Sequence, residues 1–178
     1  MIIMKKNKKI FVILVPVAIF VFIACFFYFK NKNTLIVNNV ETPIDSIVVY
    51  SNTDYGFNFS LPDDWKGYSI VTNTWNGNPL TTNTKEETGP TILIRNPKWT
   101  SAVHYEDIPI MVFTLAQWDS YVKEDYAVSA APISATELAR NNTYVFALPP
   151  RWDFDYSEGF QEAENILRMN PIKVFDLK

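Results

Sequence analysis

The sequence predicts an α+β domain, a mostly antiparallel sheet with about two packed helices, preceded by one N-terminal transmembrane helix. Three observations carry this reading. Beyond position 46 the apolar residues fall in short runs, several alternating with polar neighbours, and the short connections between them favour antiparallel pairing. Only two stretches, residues 115–124 and 157–169, switch to helical spacing, which makes a sheet with helices packed on it. Finally, the twenty apolar residues from Ile10 to Phe29 form a run that, as a helix, spans roughly 30 Å, the thickness of a bilayer's hydrocarbon core.

Lys5, Lys6, Lys8 and Lys9 precede that run, and only Lys30 and Lys32 follow it closely. The positive-inside rule then makes residues 1–9 a cytoplasmic stub, 10–29 a signal-anchor, and everything beyond an exported part. Pro16 is tolerated within a membrane helix. A cleaved signal peptide fits poorly, because its apolar core is shorter, about 7–15 residues, and no small-x-small site follows Tyr28. Lipidation of Cys25 fits poorly as well. Phe22 and Ile23 make a weak lipobox, and Phe26, Phe27, Tyr28 and Phe29 are bulky where small polar residues are expected. Cys25 reads as one more apolar residue of the span. Residues 30–46 are Asn-rich and weakly patterned, a tether to an extracytoplasmic domain over 47–178.

Within that domain, Ile47 to Tyr50 is a β-branched run. Phe57, Phe59 and Leu61 alternate with Asn58 and Ser60 in a half-buried strand that Pro62 ends, with Asp63-Asp64 in the turn after it. Tyr68 to Trp75 alternates too. The stretch 76–90 has Gly, Pro, Asn and Thr but no apolar period, and is expected to be a long mobile loop. Thr91 to Arg95 and Ile108 to Phe113 are strand-length apolar runs, the second buried on both faces, with Pro109 suited to a strand's first residues.

Leu115 to Glu124 takes helical spacing with Leu115, Trp118 and Val122 on one face, and Thr114 with Gln117 forms a capping box. Residues 136–140 and 143–148 flank Asn141-Asn142. Asparagine tolerates positive φ, so a two-residue hairpin is expected there, with Tyr144, Phe146 and Leu148 on one face. A second helix from about Ser157 to Met169 turns Phe160, Ala163, Ile166 and Leu167 inward. Asp155 or Ser157 is expected to cap it, Glu158 to sit in its first turn and Asn170-Pro171 to stop it. Ile172 to Phe175 is a last strand.

The stretch YSNTDYGFNFSLPDDWKGYSIV (50–71) resembles the opening of PsbP-like exported domains, in which a strand of the type Y-G-F-x-F-x-L-P precedes a tryptophan and a further strand. GPTILIRNPKWT (89–100), DIPIMVFTLAQWD (107–119) and ARNNTYVFALPPRW (139–152) extend the resemblance to a family of uncharacterised membrane-anchored or secreted proteins of Gram-positive bacteria. The likeness covers nearly all of residues 46–171. It implies a PsbP-like fold at a bacterial cell surface and brings no activity. Where the family pattern often places a histidine after the I-R pair, this chain has Asn96.

Composition excludes more than it names. From Lys30 onward the chain carries 12 basic and 19 acidic side chains, a formal −7, so it has no basic nucleic-acid footprint. The exported part has no cysteine and hence no disulfide framework. Zinc needs three or four N or S ligands, and His104 is the only histidine. A Ser-His-Asp site built on His104, beside Glu106 and Asp107, has no motif to support it. Asp153, Asp155 and Glu158 lie close in sequence but lack the spacing of a calcium loop, and helix capping accounts for them. Five glycines leave no phosphate-cradling motif.

No cofactor is expected, and no catalytic residue stands out. The remaining candidates are loop aromatics beside cations, the composition of binding hot spots: Trp75, Trp99, Arg151 and Trp152. The expectation is a surface-tethered binding or interaction domain in the cell membrane, its N-terminus cytoplasmic and its C-terminal domain extracellular, facing an envelope protein or cell-wall component. The alternative is an envelope hydrolase working through carboxylates, for which the acidic residues offer no specific pair.

Overall fold

The computed structural model describes residues 47–82, 84–130, 133–152 and 157–178. The chain divides into two units, 1–44 and 45–178. The fold described is that of the second. The expected membrane helix, the tether and Cys25 lie outside the described residues, as do Asp153 and Asp155. Among the described residues no helix is long and apolar enough to cross a membrane.

The domain is α+β, with two helices and mostly antiparallel sheets. The alternation in FNFSL builds β2 (Phe57–Leu61) with Phe57, Phe59 and Leu61 all at 1% exposure or less. This strand pairs antiparallel with β1 (Val48–Asn52) on one side and β9 (Ile172–Val174) on the other. A second, six-stranded sheet has the order β6-β3-β4-β5-β8-β7. Its strands are β3 (Ser69–Pro79), β4 (Glu87–Arg95), β5 (Ile108–Thr114), β6 (Tyr126–Ala127), β7 (Thr136–Arg140) and β8 (Tyr144–Leu148). The helices are α1 (Leu115–Val122) and α2 (Phe160–Arg168), and Asp63–Trp65 forms a single 3-10 turn.

The six-stranded sheet is the middle layer, with a separate core on each face. Ile92, Ile94, Ile110 and Phe146 meet Phe57 and Phe59 of the smaller sheet and Ile166 of α2 in one core. Trp75, Met111, Phe113 and Val145 gather with Trp118 of α1 and Tyr126 in the other. That is why β5 is an unbroken apolar run: Ile110 and Val112 serve one core while Met111 and Phe113 serve the other. Each such side chain contributes roughly 1.5–3 kcal/mol by leaving water.

The capping box at α1 is present. Thr114 Oγ1 accepts from the amide of Gln117, and the Gln117 side chain accepts from the amide of Thr114. Val122, expected inward with Leu115 and Trp118, is instead 64% exposed.

Three further expectations are corrected. The stretch 76–90 is not one long loop: β3 runs on to Pro79, β4 begins at Glu87, and the two pair from Ser69↔Arg95 to Gly77↔Glu87. Gly77 and Gly89, which look like turn residues, lie in strands because aromatic rings occupy their side-chain space. A Cβ at Gly77 would lie 2.3 Å from the Tyr126 ring, and one at Gly89 2.6 Å from the Trp75 indole.

The β7–β8 loop spans residues 141–143, and positive φ is found at Glu124, Arg151 and Asn170 rather than at its asparagines. Asn141 works through its side chain instead, accepting from the amides of Thr143 and Tyr144. The second helix begins at Phe160 with Gly159 (φ 82°) as its N-cap, so neither Ser157 nor Glu158 does the expected local job. The Ser157 hydroxyl donates to Glu106, and Glu162 is the acid in the helix's first turn.

Candidate functional site

The sequence candidates do not converge. Trp75 is a core residue of β3, 5% exposed, stacked on Phe113 at 4.5 Å, with its indole N–H donated to the carbonyl of Val112 at 2.9 Å. Its position before a polar stretch made it look like a loop residue. Burial removes it from any contact surface. Trp152 is half-buried against the first core, its ring 6.0 Å from Phe160. Arg151 is exposed in the left-handed region, φ 55°. Trp99 is half-buried in the β4–β5 connection, under the Arg95 guanidinium 4.0 Å from its centroid and stacked on His104 at 5.0 Å.

That connection is held closed by charge. Arg95 at the end of β4 reaches Asp107, just before β5, with Nε and Nη2 both 3.2 Å from Oδ2. The other Asp107 oxygen accepts from the amide of Asn96. Lys98 donates to Glu162 of α2 at 3.1 Å, and this hydrogen bond to the carboxylate holds the lysine above its usual pKa. The second Glu162 oxygen accepts from the Trp65 indole at 2.6 Å. Asn96, where the resemblance leads one to expect histidine, is 1% exposed; its Oδ1 accepts from the amide of Lys98, and its Nδ2 finds no partner among the described residues.

The groups that could make a nucleophilic triad are thus dispersed: His104 stacks on Trp99, Ser157 donates to Glu106, and Asp107 holds Arg95. Among the described residues, no three or more His, Cys, Asp or Glu side chains gather as metal ligands would.

An open groove of about 360 Å³ lies on the α1 side of the sheet. Thr114 caps α1 at its start, and Glu124 ends the helical stretch in the left-handed conformation (φ 61°), which turns the chain back into β6. The returning strand carries Tyr126 beside Trp118 and Tyr121, whose rings contact one another at 5.4 Å and 5.9 Å. The Tyr126 hydroxyl donates to the carbonyl of Gln117, and the Tyr121 hydroxyl accepts from the amide of Ala135. Burial pushes the Tyr126 hydroxyl far above the ordinary phenol pKa.

Leu80 (60% exposed), Val122 (64%) and Ile133 (55%) stand around the aromatic wall, and Pro150, the residue before Arg151, closes one side. Sequence reasoning missed this groove. Its only local signals are lone apolar residues, Leu80 within a polar stretch and Val122 at the end of a helix face. No family model, curated protein or solved structure matches this chain.

Proposed function

We propose that this chain is a membrane-anchored extracytoplasmic binding domain, with residues 10–29 as the anchor and the α1-side groove as the contact surface. The groove carries the reading. An aromatic wall with three large apolar side chains left in water beside it is the composition of a docking pocket, where burial of apolar area supplies affinity. The partner that fits is an envelope protein or cell-wall component presenting an apolar or aromatic group. The lysine bias around the apolar run and the resemblance to PsbP-like domains of Gram-positive surface proteins support the outward placement.

The test is a photo-crosslinking amino acid at Val122 in the full chain, expressed in cells of origin. A discrete adduct that disappears when Leu80→Asp and Ile133→Asp are combined supports the reading. No adduct, or one insensitive to those substitutions, overturns it.

A further inference from the structure

The edge of the six-stranded sheet carries a second contact surface. Strand β3 is paired with β4 along Ser69–Gly77, but β6 covers its other side only at Asn78 and Pro79. Among the described residues nothing pairs with that side between Ser69 and Gly77. The direction of the free groups follows from one bond. Leu80 donates its amide to the carbonyl of Asp125 across the β6 side. Strand alternation then turns the N–H and C=O of Ile70, Thr72, Thr74 and Asn76 to that same edge.

Edge strands of this length are ordinarily blunted by a charge, a proline or a bulge. The opposite edge of the sheet, β7, carries Glu137, Arg140 and a register shift between Glu137 and Ala139. From Ser69 to Asn78, β3 has no charged residue and no proline, and its register against β4 is regular throughout. Ile70, Thr72, Asn73, Thr74 and Asn76 are exposed, so the smaller sheet does not extend over them.

We propose that this edge pairs with the same edge of a second copy of this chain, antiparallel about a two-fold axis at Asn73, joining the two six-stranded sheets. Self-pairing is what the residues favour over a foreign strand. In this register Thr72 faces Thr74 of the second copy and Ile70 faces Asn76, so every outward backbone group of the four residues finds a partner. The two threonines form a favourable cross-strand pair on the exposed face. An acidic domain meeting itself meets like charge, and this edge is the stretch where no charge faces charge. β6 bounds the paired segment at Asn78, and the chain leaves the strand before Tyr68 through Gly67 (φ 93°). The contact is small, so the pairing is a weak, reversible one.

Asn73 faces its own counterpart as a non-hydrogen-bonded pair, with Cα atoms about 4.5 Å apart, inside the window a disulfide accepts. The experiment uses the full chain carrying Cys25→Ser, with Asn73→Cys added and mild oxidation in membranes. A disulfide-linked dimer is expected for Asn73→Cys and not for Glu137→Cys on the opposite edge. Adding Thr72→Lys and Thr74→Lys, which sets ammonium groups opposite one another on an exposed face, is expected to abolish it. Unchanged tryptophan fluorescence in each variant establishes that the domain is folded. A folded Asn73→Cys protein that gives no dimer, one that gives no more than Glu137→Cys, or one that instead joins a different protein overturns the proposal.

Discussion

Replacing Asn141 by alanine is predicted to be among the most damaging single changes outside the apolar cores. The residue is 9% exposed and sits at the turn of the β7–β8 hairpin. Its Nδ2 donates to the carbonyl of Tyr55 at 2.8 Å and lies 3.2 Å and 3.3 Å from those of Phe175 and Gly56. Its Oδ1 accepts from the amides of Thr143 at 2.9 Å and Tyr144 at 2.8 Å. One side chain therefore ties the larger sheet to the β1–β2 turn and the C-terminal segment of the smaller one.

Each hydrogen bond is worth about 1 kcal/mol net, and stranding a buried partner costs about 1–3 kcal/mol. With the weaker contacts discounted, the sum is about 3 kcal/mol, roughly a 10 °C fall in Tm for a domain of this size. All five tryptophans lie beyond position 60, so tryptophan fluorescence of the full chain reports this domain's unfolding. Asn142→Ala, whose contacts are exposed, is the control and is expected to cost less than about 1 kcal/mol. An Asn141→Ala protein unfolding within about 3 °C of the parent would refute the argument, because a link between the sheets cannot be that cheap.

Gly89→Ala should cost about 1–3 kcal/mol and change tryptophan fluorescence, since the new methyl has to displace the Trp75 ring; an unchanged spectrum and Tm would refute that packing. Trp118→Ala, removing the ring packed against Phe113 and Tyr121, should cost about 3–5 kcal/mol by the same assay. Glu137 has its pKa lowered chiefly by the hydrogen bond from Arg140. A depressed carboxylate contributes stability above its unfolded pKa and loses it as pH falls through the folded one. Arg140→Ala should thus raise the Glu137 midpoint toward the ordinary carboxylate range, read by NMR titration, and cost less than about 1 kcal/mol, because the pair is exposed to solvent.

The fold was legible wherever a local pattern had one structural meaning. Alternation in FNFSL, the capping box at Thr114 and Gln117, and the stop at Asn170-Pro171 all lie where their chemistry puts them. Reading failed where a residue's reason was tertiary. Gly77 and Gly89 serve rings that arrive from Tyr126 and Trp75, and no local pattern separates that role from a turn. Asn141 is a connector because Tyr55 and Phe175 lie beside it, which the hairpin's own sequence does not contain. The groove was illegible for the same reason: Leu80, Val122 and Ile133 come from three separate segments and meet only after the chain turns back at Glu124. Loop tryptophans looked more promising, yet Trp75 and Trp99 spend their faces on their own chain.

The most direct test of an outward-facing, occupied groove is thiol labelling in intact cells of origin, with a membrane-impermeant maleimide and the full chain carrying Cys25→Ser. Two positions suffice: Ser101→Cys, exposed in the β4–β5 connection, and Ile133→Cys in the groove wall. The account predicts rapid labelling of Ser101→Cys in intact cells. Ile133→Cys should react slowly there and rapidly in the purified chain, because a bound partner covers the groove. Labelling of Ser101→Cys only after the cells are opened would contradict the outward placement. Equal reactivity of Ile133→Cys in cells and in the purified chain would contradict the groove as a binding site.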